Sequence, residues 1–516
     1  MTPLADVSTV STPQPDRNST SSFDRWRNRL GFVLAPVAAL LIWFCPFPHL
    51  SPEAHHLAAI ASGVVILWFC ESLPLAVTAM IGPAVCVVAG VADAKSAFAP
   101  FANPVIFLFI GSFMIAESLT LHGLGERLAH AILNLGVVRG SPARIILALG
   151  LLSAGLSMWI SNSATTAILY PLAIATLAAW PTDQGSRRGR NALTYGLLMV
   201  AYSATIGGMV TPVGTPPNLI GIGFIQESCG VRISFARWML VMGPLSLLGW
   251  LMLAYILRLP RALTAGWAKI PEAGSAPRIQ RKMSRGEINT VIAFGVAVVL
   301  WVTPGMATLG TAGDGEWARA LRPWAAWMTN HLPESVAGLL AGCLLFALPT
   351  GDPKHRFTLT WEDATRIDWG TILLFGGGLS MGGMAFSTGL ADAFGRGVVS
   401  LTGVTSAVGL TGLCVFMASL LSETTSNTAS ANMAIPVAIS VAKAAGIDPA
   451  LPALGACLGA SCGFTLPIST PPNAIVYGSG RIPLMTMVRV GIVFDIAIGL
   501  LMWLYLVLVW PIVGVH

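Results

Sequence analysis

Two short polar runs interrupt the apolar stretches of this sequence, and each has a twin. Ser161-Asn162-Ser163-Ala164-Thr165 returns as Ser426-Asn427-Thr428-Ala429-Ser430, a separation of 265 residues (426 − 161). Thr215-Pro216-Pro217-Asn218 returns in the same order as Thr470-Pro471-Pro472-Asn473, a separation of 255 (470 − 215). Hydroxyl and amide oxygens, joined by the carbonyls of unwound backbone, suit a hard monovalent cation, and free N–H groups at the start of a following helix suit an anion. Two adjacent prolines cannot continue a helix, so each Thr-Pro-Pro-Asn run breaks one. Gly207, Gly208 and Gly214 at the first break, and Gly463 with Ser469 at the second, let backbone approach an ion or solute. A single serine-rich tip is also what close helix packing in lipid uses. Two tips in matching positions, each paired with a proline break, point instead to a duplicated solute site at the centre of a membrane transporter.

The elements that carry these runs must be transmembrane helices. The chain is 54% hydrophobic and 10% charged, with a mean hydropathy of +0.73, whereas a soluble domain carries about 25% charged residues. Apolar stretches of about 17 to 25 residues recur, each enough to cross a hydrocarbon layer roughly 30 Å thick. Continuous runs such as Val291 to Val302 exclude a barrel of alternating strands. Spans are expected near residues 31–47, 55–70, 75–91 and 104–120, followed by an amphipathic piece, Gly123 to Leu135, with Glu126, Arg127 and His130 on one side. The run from Arg144 to Ala179 holds the first tip between the basic flanks Arg139 to Arg144 and Asp183 to Arg190, and reads as two short helices meeting in a re-entrant hairpin. Residues 191–208 lead into the first break, and a short helix follows from Leu219. After a basic linker the order returns: spans near 288–303, 335–349 and 369–387, an amphipathic piece from Leu390 to Ser400, residues 404–421 into the second tip, 452–465 into the second break, and a last span over 484–510. The expected fold is an all-α polytopic membrane protein with about eleven crossings and two re-entrant hairpins in an inverted repeat.

A net charge of +6 does not indicate nucleic acid, because the basic residues sit in short loops between spans. Arg25, Arg27 and Arg29, then Arg187, Arg188 and Arg190, then the segment 258–285 with Lys269, Arg278, Arg281 and Lys282 read as cytoplasmic. The charge-balanced segment from Gly305 to Pro333 and the tail from Val513 to His516 read as external, giving an N-terminus inside and a C-terminus outside. The first 22 residues lack the apolar core of a secretory signal. Eight cysteines without a C-x-x-C pair read as small buried hydrophobes. The histidines show no metal spacing, and Gly376-Gly377-Gly378, with no following G-K-[ST], reads as helix packing rather than a phosphate cradle. A membrane-embedded enzyme would need clustered acids, bases or metal ligands, which are dispersed here. Glu71, Glu117, Glu423 and Asp495 are acidic residues in apolar context. Glu423, beside the second tip, is the candidate for tuning or protonation; Glu71 fits a helix end near the interface, and Glu117 and Asp495 fit structural roles.

On its two Ser-Asn-[Ser/Thr] tips and two [Gly/Ser]-Thr-Pro-Pro-Asn breaks, the chain from about residue 30 to 512 resembles the divalent anion/sodium symporter family, solute-carrier family 13, which includes the INDY-type dicarboxylate carriers. The resemblance implies an elevator-type homodimer in which a scaffold holds the dimer and a transport domain with both hairpins carries a di- or tricarboxylate with sodium. Domain limits then follow: a disordered cytoplasmic tail 1–29, a first half 30–257 (scaffold 30–135, transport 140–257), a linker 258–287, and a second half 288–512 (scaffold 288–400, transport 401–512). Carried over by position, one sodium site is Ser157, Ser161, Asn162 and the Gly214 carbonyl, and the other is Ser422, Thr425, Asn427 and the Ser469 carbonyl. The substrate would meet Ser161, Asn162, Ser163 and Thr215 from one half and Ser426, Asn427, Thr428, Thr470 and Pro471 from the other. Ser163 and Ser422 stand where the family often has threonine, and both keep the hydroxyl. Exchangers of the family place a basic residue near the first tip, where this chain has Ala164-Thr165-Thr166. A dianion in a site without lysine or arginine needs bound cations, since a helix N-terminus supplies only about half a positive charge. The expectation is sodium-coupled import of succinate, malate or fumarate across a bacterial inner membrane, with no cofactor besides sodium as coupling ion. An exchanger or a sulfate carrier of the same fold is the alternative, and a channel would show uptake without stoichiometric coupling.

Overall fold

Apolar runs that end at glycine, proline or a capping side chain become the helices of this chain, and the caps recur as faithfully as the motifs do. A computed structural model describes residues 22–138, 141–178, 187–257, 282–311, 315–352, 355–404 and 406–513. Every regular element among them is helical. The first half runs through α1 (Ser22–Phe44), α2 (Pro52–Cys70), α3 (Leu75–Val88), α4 (Ala94–Phe98), α5 (Pro104–Leu121), α6 (Leu124–Leu133), α7 (Pro142–Ser157), α8 (Asn162–Ala178), α9 (Arg187–Gly208), α10 (Pro216–Cys229) and α11 (Phe235–Ile256). The second runs through α12 (Arg285–Gly310), α13 (Glu316–His331), α14 (Glu334–Leu344), α15 (Trp361–Ala364), α16 (Trp369–Ser387), α17 (Leu390–Thr402), α18 (Ala407–Thr424), α19 (Asn427–Ala444), α20 (Ala450–Gly459), α21 (Pro471–Tyr477) and α22 (Leu484–Val513).

Asn103 opens α5 by accepting from the Val105 N–H, and Asp368 opens α16 by accepting from the Thr371 N–H. The amphipathic helices that follow, α6 and α17, each start from a left-handed glycine, Gly123 at φ 68° and Gly389 at φ 80°. A side chain at either turn would meet its own backbone. Among the described residues, eight stretches are long and apolar enough to cross a membrane, from Arg25–Phe44 to Leu484–Pro511, and five shorter apolar helices, α7 and α20 among them, accompany them. Both tips lie between paired helices, α7 with α8 and α18 with α19, as the hairpin expectation required.

Four boundaries differ from expectation. Residues 22–29, assigned to the tail, form the first turns of α1, because the apolar face that begins at Leu30 continues back through Trp26. Residues 285–287, assigned to the linker, open α12. The segment expected as an external loop contains α13, whose tryptophans (Trp317, Trp324, Trp327) and arginines (Arg319, Arg322) fall on different faces as on an interfacial helix. The span α11, hidden between the first break and the basic linker, completes the first half. Residues 1–21, 258–281 and 514–516, which hold most of the expected tail and linker and the last residues of the chain, lie outside the described residues, as do Arg139, Asp183 and Asp314.

The halves interlock. Helix α5 crosses α14 so closely that a Cβ on Gly111 would collide with the Gly338 backbone, and α16 crosses α3 so that a Cβ on Gly377 would collide with the Ala79 carbonyl. Small residues allow this approach where packing rather than water drives association. Helices α9, α10 and α20 fill the centre, with Leu197 to Tyr202 and Ala453 to Leu458 buried. Leu247, Leu251, Val299, Leu504 and Leu508 remain exposed on the outer faces of α11, α12 and α22, as lipid contact requires. Arg127 on α6 grips the carboxylate of Glu287 on α12 at 2.8 and 3.2 Å, and Glu287 is 1% exposed. Arg127→Ala removes the counter-charge of a buried carboxylate and is expected to cost about 3 kcal/mol. Thermal unfolding in detergent measures this, with Arg127→Lys falling between the parent and the alanine variant.

Candidate functional site

The two tips are hydrogen-bonded alike. Ser157 Oγ donates to Asn162 Oδ1 at 2.6 Å, and Ser161 Oγ accepts from the Ala164 N–H at 3.2 Å. In the second half Ser422 Oγ donates to Asn427 Oδ1 at 2.8 Å, and Ser426 Oγ accepts from the Ala429 N–H at 3.2 Å. The serine beside each asparagine caps the outgoing helix, and the serine at the end of the incoming helix orients the amide.

The breaks match as closely. Asn218 Nδ2 donates to the carbonyls of Gly208 (2.9 Å) and Thr211 (2.8 Å), and Asn473 Nδ2 donates to those of Gly463 (2.9 Å) and Leu466 (3.1 Å). The motif asparagine is therefore a staple: it satisfies the carbonyls that the unwound segment can no longer bond within a helix. The prolines fall at the first helical positions of α10 and α21, where no N–H is needed. Thr215 and Thr470 precede them in extended backbone, and neither hydroxyl caps its helix.

Tip and break close on each other. A Cβ on Gly208 would stand 2.5 Å from Asn162 Oδ1, and one on Gly214 would stand 3.0 Å from the Ser157 carbonyl oxygen. In the second half a Cβ on Gly463 would stand 3.2 Å from Ser469 Cβ and 3.3 Å from the Ser422 carbonyl oxygen. Each half thus gathers hydroxyl, amide and carbonyl oxygens at the point of closure, and in the second half the Glu423 carboxylate also stands there, bonded to Ser469 Oγ. The hydroxyl of Thr425 is engaged by Ser430 Oγ (2.7 Å) and the Leu421 carbonyl (3.0 Å), which leaves its main-chain carbonyl for any ion.

The supports of the two breaks differ. The first is held by neutral groups: Thr211 Oγ1 donates to the Met158 carbonyl at 2.5 Å and Trp238 Nε1 to the Met209 carbonyl at 3.0 Å. The second is held by Glu423, whose carboxylate accepts from the N–H groups of Thr465 (2.9 Å) and Leu466 (3.1 Å) and from Ser469 Oγ. Thr465 Oγ1 in turn donates to Asp495 at 2.7 Å, and Tyr202 of the first half donates to the Phe464 carbonyl at 2.5 Å. Glu423, singled out for tuning or protonation, acts in this geometry as the clamp of the second loop, and Asp495, expected in a structural role, accepts from Thr465 of that loop.

Both tips and both breaks face one cavity of about 690 Å³. Its walls include Ser161, Asn162, Ser163, Gly214 and Thr215 from the first half and Thr425, Ser426, Asn427, Thr428, Ser469, Thr470 and Pro471 from the second. Ser157 and Ser422 lie one layer behind, fully buried, and act on the cavity through the two asparagines. Helices α8, α10 and α19 begin at the cavity and α18 ends there, so both partial charges of the helix ends are available to solutes.

Comparison with known proteins agrees with this geometry. The family described as the sodium:sulfate symporter transmembrane region matches residues 27–516. The chain belongs to this family. The divalent anion/sodium symporters that its motifs resemble are the same group, and the chain is a membrane transporter of that type. It is 30% identical over 500 residues to the sodium-dependent dicarboxylate transporter SdcS of Staphylococcus aureus (strain bovine RF122 / ET3-1), covering 94% of this chain and 91% of that one. It is 30% identical over 503 residues to its namesake in Staphylococcus saprophyticus, covering 94% and 92%. Among solved structures, the Alcanivorax borkumensis YdaH transporter superposes with a TM-score of 0.55 at 15% identity over 95% of this chain and 98% of that one. Neisseria gonorrhoeae MtrF gives 0.52 at 14% identity over 96% of each. These two share the fold.

The symporter-family site also contains side chains that its motifs do not announce. Arg27, Asn28, Glu71, Asp368 and Thr371 line the same cavity. The expectation of a site without lysine or arginine is therefore corrected: Arg27, assigned to topology because it precedes a span, stands in the wall, with Nη2 2.8 Å from Glu71 Oε2. Among the described residues the fixed charges of the lining are one guanidinium and the carboxylates of Glu71 and Asp368, so these lend the cavity no net positive charge. The glutamate in apolar context was the only sequence signal of this pair.

Glu423→Ala strips the acceptors from two backbone N–H groups and a hydroxyl, and is expected to cost about 3 kcal/mol of stability. Glu423→Gln, which keeps one acceptor oxygen, should cost less, and thermal unfolding in detergent ranks the two.

Proposed function

We propose that this chain is a sodium-coupled symporter that imports dicarboxylates such as succinate, malate or fumarate by alternating access. The observation that carries the reading is the pair of clusters of hydroxyl, amide and carbonyl oxygens flanking one cavity whose described fixed charges do not favour an anion. In this reading Ser157, Ser161, Asn162 and the Gly214 carbonyl hold one sodium ion, and Ser422, Thr425, Asn427 and the Ser469 carbonyl hold the other. The substrate lies between Ser161, Asn162, Ser163 and Thr215 on one side and Ser426, Asn427, Thr428, Thr470 and Pro471 on the other.

Sodium has to arrive first. A dianion entering the bare cavity would face the carboxylates of Glu71 and Asp368 with only helix ends and one paired guanidinium in its favour. Two bound cations reverse that balance, and they bring the summed charge of ions and solute to zero, which lowers the cost of moving the loaded site past hydrocarbon. The 30% identity to transporters named sodium-dependent and dicarboxylate supports the same coupling.

The interlocked helices α3, α5, α14 and α16 suit a scaffold within residues 30–135 and 288–400, while the hairpins and breaks in 140–257 and 401–512 suit an elevator domain that carries the site. In this reading two copies join through their scaffolds in a bacterial inner membrane, with the N-terminus cytoplasmic and the C-terminus external. An exchanger is the second reading, favoured by Arg27, because a fixed cation in the cavity wall can take over part of the work of sodium.

Labelled succinate uptake into proteoliposomes, with and without an inward sodium gradient, separates these. Symport predicts accumulation that follows the sodium gradient with nothing inside; uptake that needs only internal succinate selects exchange, and competition by sulfate above that by malate or fumarate selects a sulfate carrier. Asn162→Ala and Asn427→Ala are each expected to abolish sodium-driven uptake at normal expression. Full activity in both would remove the assigned ion sites.

A further inference from the structure

Arg27 and Glu71 form an ion pair between α1 and the end of α2. Arg27 Nη2 lies 2.8 Å from Glu71 Oε2, and the two side chains are 16% and 37% exposed. Arg27 Nη1 also reaches the Thr424 carbonyl at 3.4 Å, beside the second tip. Exposed ion pairs contribute little stability, so the pairing by itself does not explain how both residues are held.

Two backbone features explain the placement. Gly31 lies one helical turn beyond Arg27 on the same face of α1, and a Cβ there would overlap Ser72 Oγ and stand 2.5 Å from Cys70 Cβ. Its absence seats α1 against the end of α2 and brings Arg27 to Glu71. Glu71 itself, with φ 48°, is the only non-glycine residue of positive φ among the described residues, at a helix end where glycine or asparagine is the usual occupant. Glutamate gains nothing locally from a left-handed conformation, and such strain persists where function uses it. Here the strained residue presents its carboxylate to the cavity that holds both tips.

We propose that Arg27 is a specificity-determining residue of the carrier, and that Glu71 is its internal competitor. The guanidinium offers a planar fork that matches a carboxylate bidentately. With no solute it rests on Glu71; a solute with a second carboxylate displaces Glu71 and takes the fork, whereas a monoanion that spends its one carboxylate at the tips cannot. The pair thus selects dianions over monoanions of similar shape. This rests on the carrier function proposed above.

The test is uptake by the full-length chain in proteoliposomes at saturating sodium, comparing the KM of succinate with that of its monoamide. Arg27→Gln leaves Glu71 unopposed and is expected to raise the succinate KM roughly tenfold, with little change for the monoamide. Glu71→Gln removes the competing carboxylate and should lower the succinate KM several-fold. The double variant should fall below Arg27→Gln alone, because the unpaired carboxylate is gone. Arg27→Lys, which keeps the charge without the fork, should raise the succinate KM by a smaller factor and serves if Arg27→Gln does not fold. A merely structural tie between α1 and α2 predicts something else: lower Vmax and stability in both single variants, with both KM values unchanged or moved in one direction. That result overturns the proposal. A parent protein without sodium-driven succinate uptake sinks the carrier reading, and the selectivity pair with it.

Discussion

Backbone that leaves a helix between apolar neighbours must find hydrogen-bond partners within the protein, since lipid offers none. Everything at the centre of this molecule depends on that constraint. Unwinding the chain after α9 and after α20 frees the carbonyls that Asn218 and Asn473 collect, at the same offsets in the two halves. With those groups satisfied, neighbouring carbonyls, amides and hydroxyls stay turned toward one cavity. The Thr-Pro-Pro-Asn run is thus a complete device: an extended threonine, two prolines that start a helix without needing N–H partners, and an amide that closes the gap behind them.

Charge is arranged around this neutral framework. The oxygens gathered at the tips are those of hydroxyls, amides and carbonyls, with the Glu423 carboxylate behind the second, so they suit ions held by dipoles. The fixed charges stand at the cavity wall, where Arg27 is matched by Glu71 and Asp368 caps α16. The two breaks reach the same shape by different chemistry. Neutral donors from Thr211 and Trp238 hold the first, and the Glu423 carboxylate holds the second with help from Tyr202 of the opposite half. Such asymmetry is what a duplicated chain gains once its halves pack together, because each loop then meets different neighbours.

Much of this was legible in the residues alone. The repeats at 265 and 255 located both tips and both breaks, and apolar run length located most of the helices, because membrane crossing and proline geometry are local constraints written along the chain. The tip and break residues carried over by resemblance all reach the cavity directly, except for Ser157 and Ser422, which act through Asn162 and Asn427. Helix α11 and the interfacial helix α13 were less visible: one is hidden between a break and a basic linker, and the other has too many charges to read as a span.

What the sequence by itself determined is the class, the internal repeat and the position of the polar gaps, since each follows from residue patterns along the chain. Only the tertiary structure decided that Arg27 belongs to the cavity and not merely to a membrane flank, that Glu423 clamps a loop, and that α5 and α16 each pack into the opposite half. Those facts join residues far apart in the chain, from Glu423 with Thr465 to Arg27 with Thr424 and Tyr202 with Phe464. A charge or a hydroxyl carries no mark in the sequence of which distant carbonyl it will meet; packing chooses the partner.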